Sequence, residues 1–511
     1  MSVWWRRRLA AVVMGGLAIA LGVPVAAAAA PSTASATAAY VVSDTSGGGS
    51  SAAAADVSAV GGAVVSSVDA LGAVSATLSS SQVAALGSNP SVVVTPDVAI
   101  SAEDASTPTT SRAPAAVFPQ QTGATQLWSQ GDTGSGVNVA VVDTGIDNLP
   151  DFAGRLVGGV DLTGEGNPFQ DDYGHGTFVA GLIAGSGASS NGAYVGEAPG
   201  AGLVSVKVAG ANGQTDLATL LAGIGWVIQN HVALHIGVLN ISFGVVPFES
   251  TVVNPLDQAV EAAWRSGLVV VTAAGNAGPF NGTILSPGDD PLVITAGALD
   301  DQGSTSSSGD TMTTFSSVGP TDPDGWFKPD LVTSGRSVVS LRAPGSTVDQ
   351  QFPTARIGTG NFVGSGTSFS AAITSGAAAL LLETNHGLSP DGVKARLLLG
   401  AAPGPVGSPF VDGHGELNLP GALATGPGNS VHLSSVSPSG ATAWGQTVSL
   451  FQTWLDSSWN PANYYGNGSA WNGSAWNGSA WNGSAWNGTP WNGTSWNGTS
   501  WNGTSWNGTS W

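Results

Sequence analysis

Residues 137–147 have the sequence VNVAVVDTGID. The stretch begins with a run of mostly small and β-branched apolar residues, and this run ends at a carboxylate, Asp143. Such a run is typical of a strand buried on both faces of a sheet. Similar runs follow it, with helix-like segments between them. The alternation predicts an α/β fold over residues 113–424, a doubly wound, mostly parallel sheet with helices on both faces. The strand-like runs are GLVSVKVAG (202–210), GVLNISF (237–243) and LVVVTAAGN (268–276), and the helical segments are LATLLAGIGWVIQN (217–230) and PLDQAVEAAWRSG (255–267).

Four segments outside this domain differ from it in composition. Residues 1–30 carry three arginines, an apolar run and a series of small residues, which is typical of a cleaved secretory signal peptide. Residues 37–112 alternate short β-branched runs with a helix-like stretch, which predicts a small α+β domain. Residues 425–465 are interpreted as a linker, and residues 466–511 repeat WNGSA or WNGTS every five residues.

The charge balance and the lack of cysteine exclude several classes of partner. The formal net charge is −20 at pH 7, and so acidic a chain repels nucleic acid and anionic membranes. We therefore expect no nucleic-acid partner, and no membrane partner once the signal peptide is removed. A sequence with no cysteine contains no disulfide, no thiolate ligand and no thiol nucleophile, so the exported chain must be held together by burial.

Three residues far apart in the sequence supply the parts of a nucleophilic site. Asp143 ends a strand, His175 lies between glycines in DDYGHGTFVAG, and Ser368 lies in GSGTSFS before a helix of small residues. Each has a plainer interpretation when taken alone: a carboxylate that binds turn amides, an inert loop histidine, and a helix cap. Together they provide a hydroxyl that attacks a carbonyl, a base that takes its proton, and a carboxylate that orients the base. A fourth residue, Asn276, ends another apolar strand and can donate to a developing oxyanion.

The stretches that contain these four residues resemble those of the subtilisin-like serine proteases, the subtilases of peptidase family S8. The resemblance extends over roughly residues 40–420. The resemblance implies a secreted serine endopeptidase that acts on polypeptides through an acyl-enzyme, with Asp143, His175 and Ser368 as catalytic residues. It also places Asn276 in the oxyanion hole. The matching stretches, in the family's order, are VVDTGID, GHGTFVAG, LNISFG, TAAGNAG, FSSVGP, KPDL, GSGTSFSAA and GHGELN.

The family register identifies which serine of GSGTSFS is the nucleophile. It selects Ser368, and leaves Ser365 and Ser370 as its neighbours. Phe369 and Ser370 stand where the family usually has Met-Ala, which concerns packing rather than chemistry. Residues 37–112 resemble the inhibitor-type propeptide of these enzymes, which implies a self-processing proenzyme whose own propeptide is an intramolecular inhibitor.

The same resemblance locates the pocket for the side chain before the scissile bond. Backbone of Ser242, Phe243 and Gly244 forms one wall, and the segment that contains Leu285 closes the floor. Many members have glycine at the position of Leu285. The bulkier residue predicts a shallow pocket that prefers small or medium apolar side chains.

No cofactor is required for this chemistry, and we predict no catalytic metal. HVALH places His231 and His235 four residues apart, but the metalloprotease pattern needs a glutamate where Val232 stands. Subtilases often carry structural calcium, and although the chain is rich in acids, no ligand loop can be assigned.

The repeat tail leaves two interpretations open. It is either a flexible low-complexity extension or a row of indoles that stack on sugar rings and hold the enzyme at a cell wall or glycan. A second class of function is a catalytically inactive subtilase-fold protein that binds or adheres to surfaces, and the complete set of site residues argues against it. We expect a secreted, extracellular protein, associated with the cell envelope if the tail binds glycan.

Overall fold

The computed structural model describes residues 36–102, 116–247 and 249–425. The predicted signal peptide, linker and repeat tail lie outside the described residues. Among the helices that are described, none is long and apolar enough to cross a membrane.

The N-terminal unit, residues 37–102, is a small antiparallel sheet with helices. Its elements are β1 (Thr37–Asp44), α1 (Gly49–Ala59), β2 (Ala63–Val68), β3 (Ala73–Ser79), α2 (Ser80–Leu86), β4 (Val92–Pro96) and β5 (Ala99–Ala102). The first four strands form one sheet in the order β2-β3-β1-β4, and α1 packs against three of them. The unit has an apolar core of its own, which includes Val42, Val57 and Leu78. This agrees with the α+β interpretation of these residues.

Strands and helices alternate through the large domain, residues 116–425. Its first half contains α3 (Phe118–Gln121), α4 (Ala124–Trp128), β6 (Asn138–Asp143), β7 (Leu156–Asp161), α5 (His175–Ala184), β8 (Gly202–Lys207), β9 (Gln214–Asp216), α6 (Leu217–Asn230), β10 (Ile236–Ile241) and β11 (Phe243–Gly244). Its second half contains α7 (Pro255–Arg265), β12 (Val269–Ala273), β13 (Ile294–Asp300), β14 (Thr311–Met312), β15 (Leu331–Ser334), β16 (Val338–Leu341), α8 (Thr347–Gln351), β17 (Arg356–Ile357), β18 (Asn361–Gly364), α9 (Thr367–Thr384), α10 (Pro390–Leu399) and α11 (Leu419–Ala424).

An eight-stranded sheet forms the centre of this domain. The strands follow the order β14-β13-β12-β10-β6-β8-β7, with β15 also paired to β13. Every pairing is parallel except that of β13 with β14. The inner strands are rich in Val, Leu and Ile and are buried on both faces, as a sheet covered by helices requires. The predicted fold class, a mostly parallel doubly wound sheet, is confirmed.

Helix α9 is the central helix of the fold. It packs across β10, β12 and β13 and against α5, whereas α6 and α7 pack against each other and against β6, β8 and β12. All residues from Thr367 to Leu381 are buried. A helix enclosed on every side must be built from side chains that fit between its neighbours, which explains its many Ala, Ser and Gly residues.

The carboxyl ends of three neighbouring strands carry the predicted site residues. Asp143 is the last residue of β6, and Ser242 directly follows β10. Asn276 lies three residues after the end of β12, rather than at the strand end that the sequence suggested. Because the three strands are parallel, these residues gather at one edge of the sheet, where ligands bind in folds of this class.

A buried glutamate, Glu197, connects α9, the site helix α5 and the turn between α3 and α4. Its side chain lies against Gly376 of α9 and accepts a hydrogen bond of 2.6 Å from Thr122 Oγ1. Its backbone N–H donates to the carbonyl of Leu182 in α5 at 2.8 Å. Burial raises the pKa of Glu197 from 4.5 to about 8.

We predict that Glu197→Gln alters the pH dependence of stability. Because the folded pKa lies above the unfolded one, the folded state keeps a proton that the unfolded chain has lost, and stability falls as pH rises from 4.5 to about 8. The amide needs no such proton and can still accept from Thr122. Urea unfolding measured at several pH values should therefore show that the free energy of unfolding of the variant rises relative to that of the wild type between about pH 5 and about 8. Parallel stability curves for the two proteins would contradict a protonated Glu197.

Candidate active site

Asp143 and His175 form a buried hydrogen-bonded pair. The two atoms Asp143 Oδ1 and His175 Nδ1 lie 2.8 Å apart, and both residues are at most 2% exposed. A carboxylate only accepts hydrogen bonds, so Nδ1 is the protonated nitrogen and Nε2 is the nitrogen able to take a proton. The backbone N–H of Thr144 also donates to Asp143 Oδ1, at 2.8 Å. The strand end and the turn after it thus fix the carboxylate.

The start of α5 sets the position of His175. Gly174 precedes it with φ of +108°, a left-handed conformation that glycine adopts without strain. Gly176 follows it and lies so close to the carbonyl of Gly145 that no Cβ fits there. Glycines on both sides of the histidine therefore allow the helix to begin directly against the turn that follows Asp143.

Asp171, a residue that sequence reasoning missed, holds this helix start in place. Its Oδ1 accepts from Gly174 N and its Oδ2 from Thr177 N, both at 2.7 Å. Thr144 Oγ1 also donates to Asp171 Oδ1 at 2.7 Å and accepts from Gly176 N at 2.9 Å. Burial raises the pKa of Asp171 to about 6. The available sequence signal is its place four residues before His175 in DDYGHGT, but Asp172 beside it has the same side chain.

Ser368 lies in the first turn of α9 and is fully buried. Helix α9 packs directly on α5, which begins with His175. The ring of Phe369, the next residue, has its centroid 5.8 Å from that of His175. The third predicted catalytic residue thus begins a helix packed on that of His175, and its sequence neighbour contacts the His175 ring. The Ser368 backbone amide lies at a helix N-terminus, which favours negative charge.

Asn276 lies directly beside Ser368. Its Oδ1 accepts from Thr367 N at 3.0 Å and from Thr367 Oγ1 at 3.1 Å. Thr367 Oγ1 also contacts Gly275 N at 3.1 Å. With Oδ1 accepting from Thr367, Nδ2 is the donating end of the amide, and stabilisation of an oxyanion needs a donor.

Of the four predicted substrate-pocket residues, three are consecutive and the fourth, Leu285, contacts the last of them, Gly244. Ser242 and Phe243 are buried, and the Ser242 hydroxyl accepts from Asn240 Nδ2 at 3.0 Å. Leu285 lies against Gly244 and also against Gly275, where an added Cβ would lie 2.9 Å from Leu285 Cβ and 2.7 Å from Leu285 Cγ respectively. Leu285 therefore fills space between the two backbone segments, as the prediction of a shallow pocket requires.

An extended segment of the chain already lies along this wall. Strand β5 pairs antiparallel with β11 on one side and with β9 on the other, opposing Ala102 to Phe243 and Ser101 to Gly244. The N–H of Ala102 donates to the carbonyl of Gly213 at 2.9 Å. The cleft thus accommodates a polypeptide as the middle strand of a three-stranded sheet.

The histidines of HVALH are separated by the end of a helix. His231 caps α6 and its Nδ1 contacts the carbonyl of Ile228 at 2.7 Å, whereas His235 precedes β10 with φ of +48°. Among the described residues, no group of three or more His, Cys, Asp and Glu side chains has the arrangement of a metal site. Structural calcium stays an untested prediction.

The doubly wound sheet, with a buried Asp–His pair and a helix-borne serine at its carboxyl edge, defines a serine hydrolase of the protease type. The chain belongs to the subtilase family, whose sequence pattern matches residues 134–415. It is a subtilisin-like serine protease.

Individual relatives agree with this assignment. The chain is 44% identical over 291 residues to serine protease AprX of Bacillus subtilis (strain 168), which covers 56% of this chain and 66% of AprX. It is 34% identical over 370 residues to subtilisin NAT of Bacillus subtilis subsp. natto, covering 72% of this chain and 84% of that protein. It is also 34% identical over 272 residues to the extracellular serine proteinase of Thermus sp. (strain Rt41A), covering 53% and 56% respectively.

We predict that Asp171→Asn slows turnover more than it weakens substrate binding. The asparagine side chain has one accepting oxygen and one donating NH₂ group, so it cannot accept from both Gly174 N and Thr177 N. The start of the helix that carries His175 is then held less firmly. A misplacement of about 1 Å can cost about 10² in rate. Steady-state kinetics should show a lower kcat with little change in KM. Asp172→Asn is the matched control, because that side chain is substantially exposed. An unchanged kcat in Asp171→Asn would leave the residue with a structural role only.

Proposed function

We propose that this protein is a secreted serine endopeptidase, made as a self-processing proenzyme, that hydrolyses peptide bonds with Asp143, His175 and Ser368. The single observation that carries the proposal is the buried 2.8 Å bond between Asp143 and His175 beside the first turn of α9. Membership of the subtilase family supports it.

Each residue has a defined part in the proposed reaction. His175 Nε2 removes the proton of the Ser368 hydroxyl as that oxygen attacks the scissile carbonyl, and Asp143 stabilises the imidazolium. Asn276 Nδ2 and the Ser368 backbone N–H bind the oxyanion of the tetrahedral intermediate. His175 then protonates the leaving amine, and a water molecule hydrolyses the acyl-enzyme by the same route in reverse.

The substrate is proposed to be a polypeptide in extended conformation. β9 and β11 offer main-chain hydrogen bonds on both sides of a strand, a mode of recognition that gives affinity independent of sequence. Preference before the scissile bond then depends on the space that Leu285 leaves, and we expect small or medium apolar side chains there.

Residues 37–102 are proposed to act as propeptide and inhibitor. β5 occupies the cleft where a substrate would lie, and the turn at Asp69–Leu71 packs on α6 and α7. Asp97 Oδ1 accepts from Ala218 N at 3.0 Å in the first turn of α6. A carboxylate is favourable at a helix N-terminus. Self-processing would cut the chain between β5 and the large domain.

Export is proposed from residues 1–30, whose sequence is typical of a secretory signal peptide. The repeat tail is proposed to contact cell wall or glycan. The alternative, an inactive subtilase-fold adhesive protein, has no specific observation in its favour. The paired Asp143 and His175 support activity over it.

Our first prediction from this proposal is that Ser368→Ala abolishes hydrolysis and self-processing. Loss of the nucleophile costs about 10⁶ in kcat, a magnitude that comes from a related subtilisin. Ser365→Ala and Ser370→Ala are controls, because Ser365 Oγ accepts from Ser337 N and Ser370 Oγ donates to Thr333 O. A fluorophosphonate probe should label both controls but not Ser368→Ala. Maturation of Ser368→Ala in a protease-free host would refute the nucleophile.

The second prediction tests the propeptide. Added to the mature enzyme, a fragment of residues 37–102 should inhibit it, and Ile100→Asp should weaken inhibition strongly. Ile100 is only 2% exposed in β5, and burying an unpaired carboxylate is unfavourable. Ala99→Asp is the matched control, because the neighbouring residue is exposed. Equal inhibition constants for the two variants would show that β5 does not enter the cleft in solution.

A further inference from the structure

A buried lysine, Lys207, lies beside the catalytic pair and has no part in the proposed reaction. It ends β8, where the register of the sheet pairs its Cα with that of Asp143 at the end of β6. Residues paired in register across parallel strands point to the same face of a sheet, so the two side chains share a face. The Lys207 side chain is 0% exposed. A buried ammonium group is unfavourable unless it is paired and hydrogen-bonded, so its partners identify what it holds.

The polar partners of Lys207 lie in the segment that leads to His175. Its Nζ donates to the carbonyl of Gln170 at 2.8 Å. It also pairs with Glu165 Oε2 at 2.8 Å and with Asp172 Oδ2 at 3.5 Å. Burial lowers the pKa of Lys207, but the hydrogen bond and charge of Glu165 and the charge of Asp172 more than offset this effect and raise it. The side chain therefore stays charged at neutral and mildly alkaline pH.

The Gln170 carbonyl that Lys207 binds lies against the turn that follows Asp143. A Cβ added to Gly145 in that turn would lie 2.4 Å from the Gln170 oxygen and 3.3 Å from Lys207 Cδ. Gly145 has φ of +110°, a conformation that glycine tolerates. Gln170 also directly precedes Asp171, whose carboxylate holds the start of α5. The lysine thus packs on the turn after one catalytic residue and binds the segment that fixes the other.

Carboxylates predominate on the segments around this ammonium group. Asp147 Oδ1 accepts from the N–H of Asp171 at 2.8 Å. Burial raises the pKa of Asp147; the bond from Asp171 and the charge of Lys207 oppose this rise, and the charge of Asp172 adds to it. The acids on these segments are Asp143, Asp147, Glu165, Asp171 and Asp172. The positive charge of the lysine therefore offsets part of a dense negative field behind the histidine.

The charged groups on the other elements packed around His175 pair with one another. Helix α5 contacts β16, and Arg342 directly follows that strand. Arg342 Nη2 donates to Asp349 Oδ2 at 2.8 Å, and Arg356 Nε donates to Asp349 Oδ1 at 2.7 Å. Helix α9, which also packs on α5, has no ionisable side chain before Glu383. The balance of charge behind the histidine therefore depends on the buried lysine and the acids around it.

We propose that Lys207 is a positioning residue for the Asp143–His175 pair. Its ammonium group binds the segment that carries Asp171 to the strand beside Asp143, and its charge offsets the acids behind the histidine. The histidine is then neutral, and able to act as a base, at a lower pH than the surrounding carboxylates would otherwise allow. The proposal rests on the proposed endopeptidase function and adds to it a residue that acts through the catalytic pair without touching substrate.

The test is the pH profile of kcat/KM for one soluble peptide from about pH 5 to about pH 10, with active sites counted by the fluorophosphonate probe. Lys207→Met removes the charge and keeps an unbranched side chain. The uncompensated acids then favour the protonated imidazole, so the acidic limb of the profile should move to higher pH by about half a unit or more. At the pH optimum, kcat per labelled site should fall about tenfold or more with little change in KM, because the start of α5 is held less firmly.

Two further variants separate the charge of Lys207 from its packing. Lys207→Arg keeps the charge and the donors, so it should keep the wild-type position of the acidic limb even where the larger side chain lowers kcat. Glu165→Gln removes one acid and should move the limb the opposite way, to lower pH. That shift should be smaller, since the Glu165 side chain is 42% exposed and solvent screens its charge. Because this substitution leaves the core intact, it tests the proposal even if Lys207→Met does not fold.

Lys394→Met is the matched control, because Lys394 is also a buried lysine that binds a carbonyl and an aspartate. It should lower stability in urea unfolding without moving the acidic limb. The proposal is wrong if this control shifts the limb equally, or if the limb stays in place in Glu165→Gln and in any folded Lys207→Met. A lower kcat in Lys207→Met without a shift of the limb would likewise overturn it and leave the lysine a structural role. A wild-type protein that neither hydrolyses the peptide nor reacts with the probe would overturn the endopeptidase function instead.

Discussion

The enclosure of helix α9 is the constraint on which the rest of this structure depends. From Thr367 to Leu381 the helix has no exposed side, so its neighbours set its position on every face. Its first turn carries Ser368, and the helix packed on it, α5, begins with His175. Asp143 ends β6 and Asn276 lies in the loop after β12, and α9 contacts both of these strands. Catalytic geometry is therefore a by-product of core packing, and a larger side chain in this helix would displace the nucleophile as well as destabilise the fold.

The sequence predicted what regular patterns encode, and it missed what depends on burial. The alternation around VNVAVVDTGID predicted the sheet. The family stretches predicted Asp143, His175 and Ser368 as site residues, and in the structure the first two form a hydrogen-bonded pair while Ser368 begins a helix packed on that of His175. Asp171 was not predicted because nothing in DDYGHGT distinguishes it from Asp172. In the structure Asp171 is buried, whereas Asp172 is partly exposed. A cavity of about 230 Å³ beside His175 could not be foreseen, since its walls come from three segments spread between Tyr173 and Phe369 and no local pattern records their meeting.

One family stretch, KPDL, has a physical explanation in the core. Lys328 and Lys394 are both buried and both bind Asp330, at 2.7 and 3.1 Å. Lys394 also donates to the carbonyls of Pro291, Leu292 and Val293. Burial lowers the pKa of Lys394 to about 8. Removing one partner of such a set leaves a charge uncompensated in the interior. In a chain without disulfides, these ammonium groups cross-link loops that apolar contacts alone would leave free.

The position of β5 between two strands also bears on which proteins this protease can attack. A target segment that pairs with a strand on each edge must break the backbone hydrogen bonds that it makes within its own protein. It must also be fully extended over several residues. In a folded protein, few segments do so without local opening, whose free-energy cost is set by the target and not by the enzyme. The cleavage rate would then depend on how often the target protein opens locally. Damaged or partly denatured chains would be consumed first, while a rigid neighbour with the same residues at its surface would survive beside them.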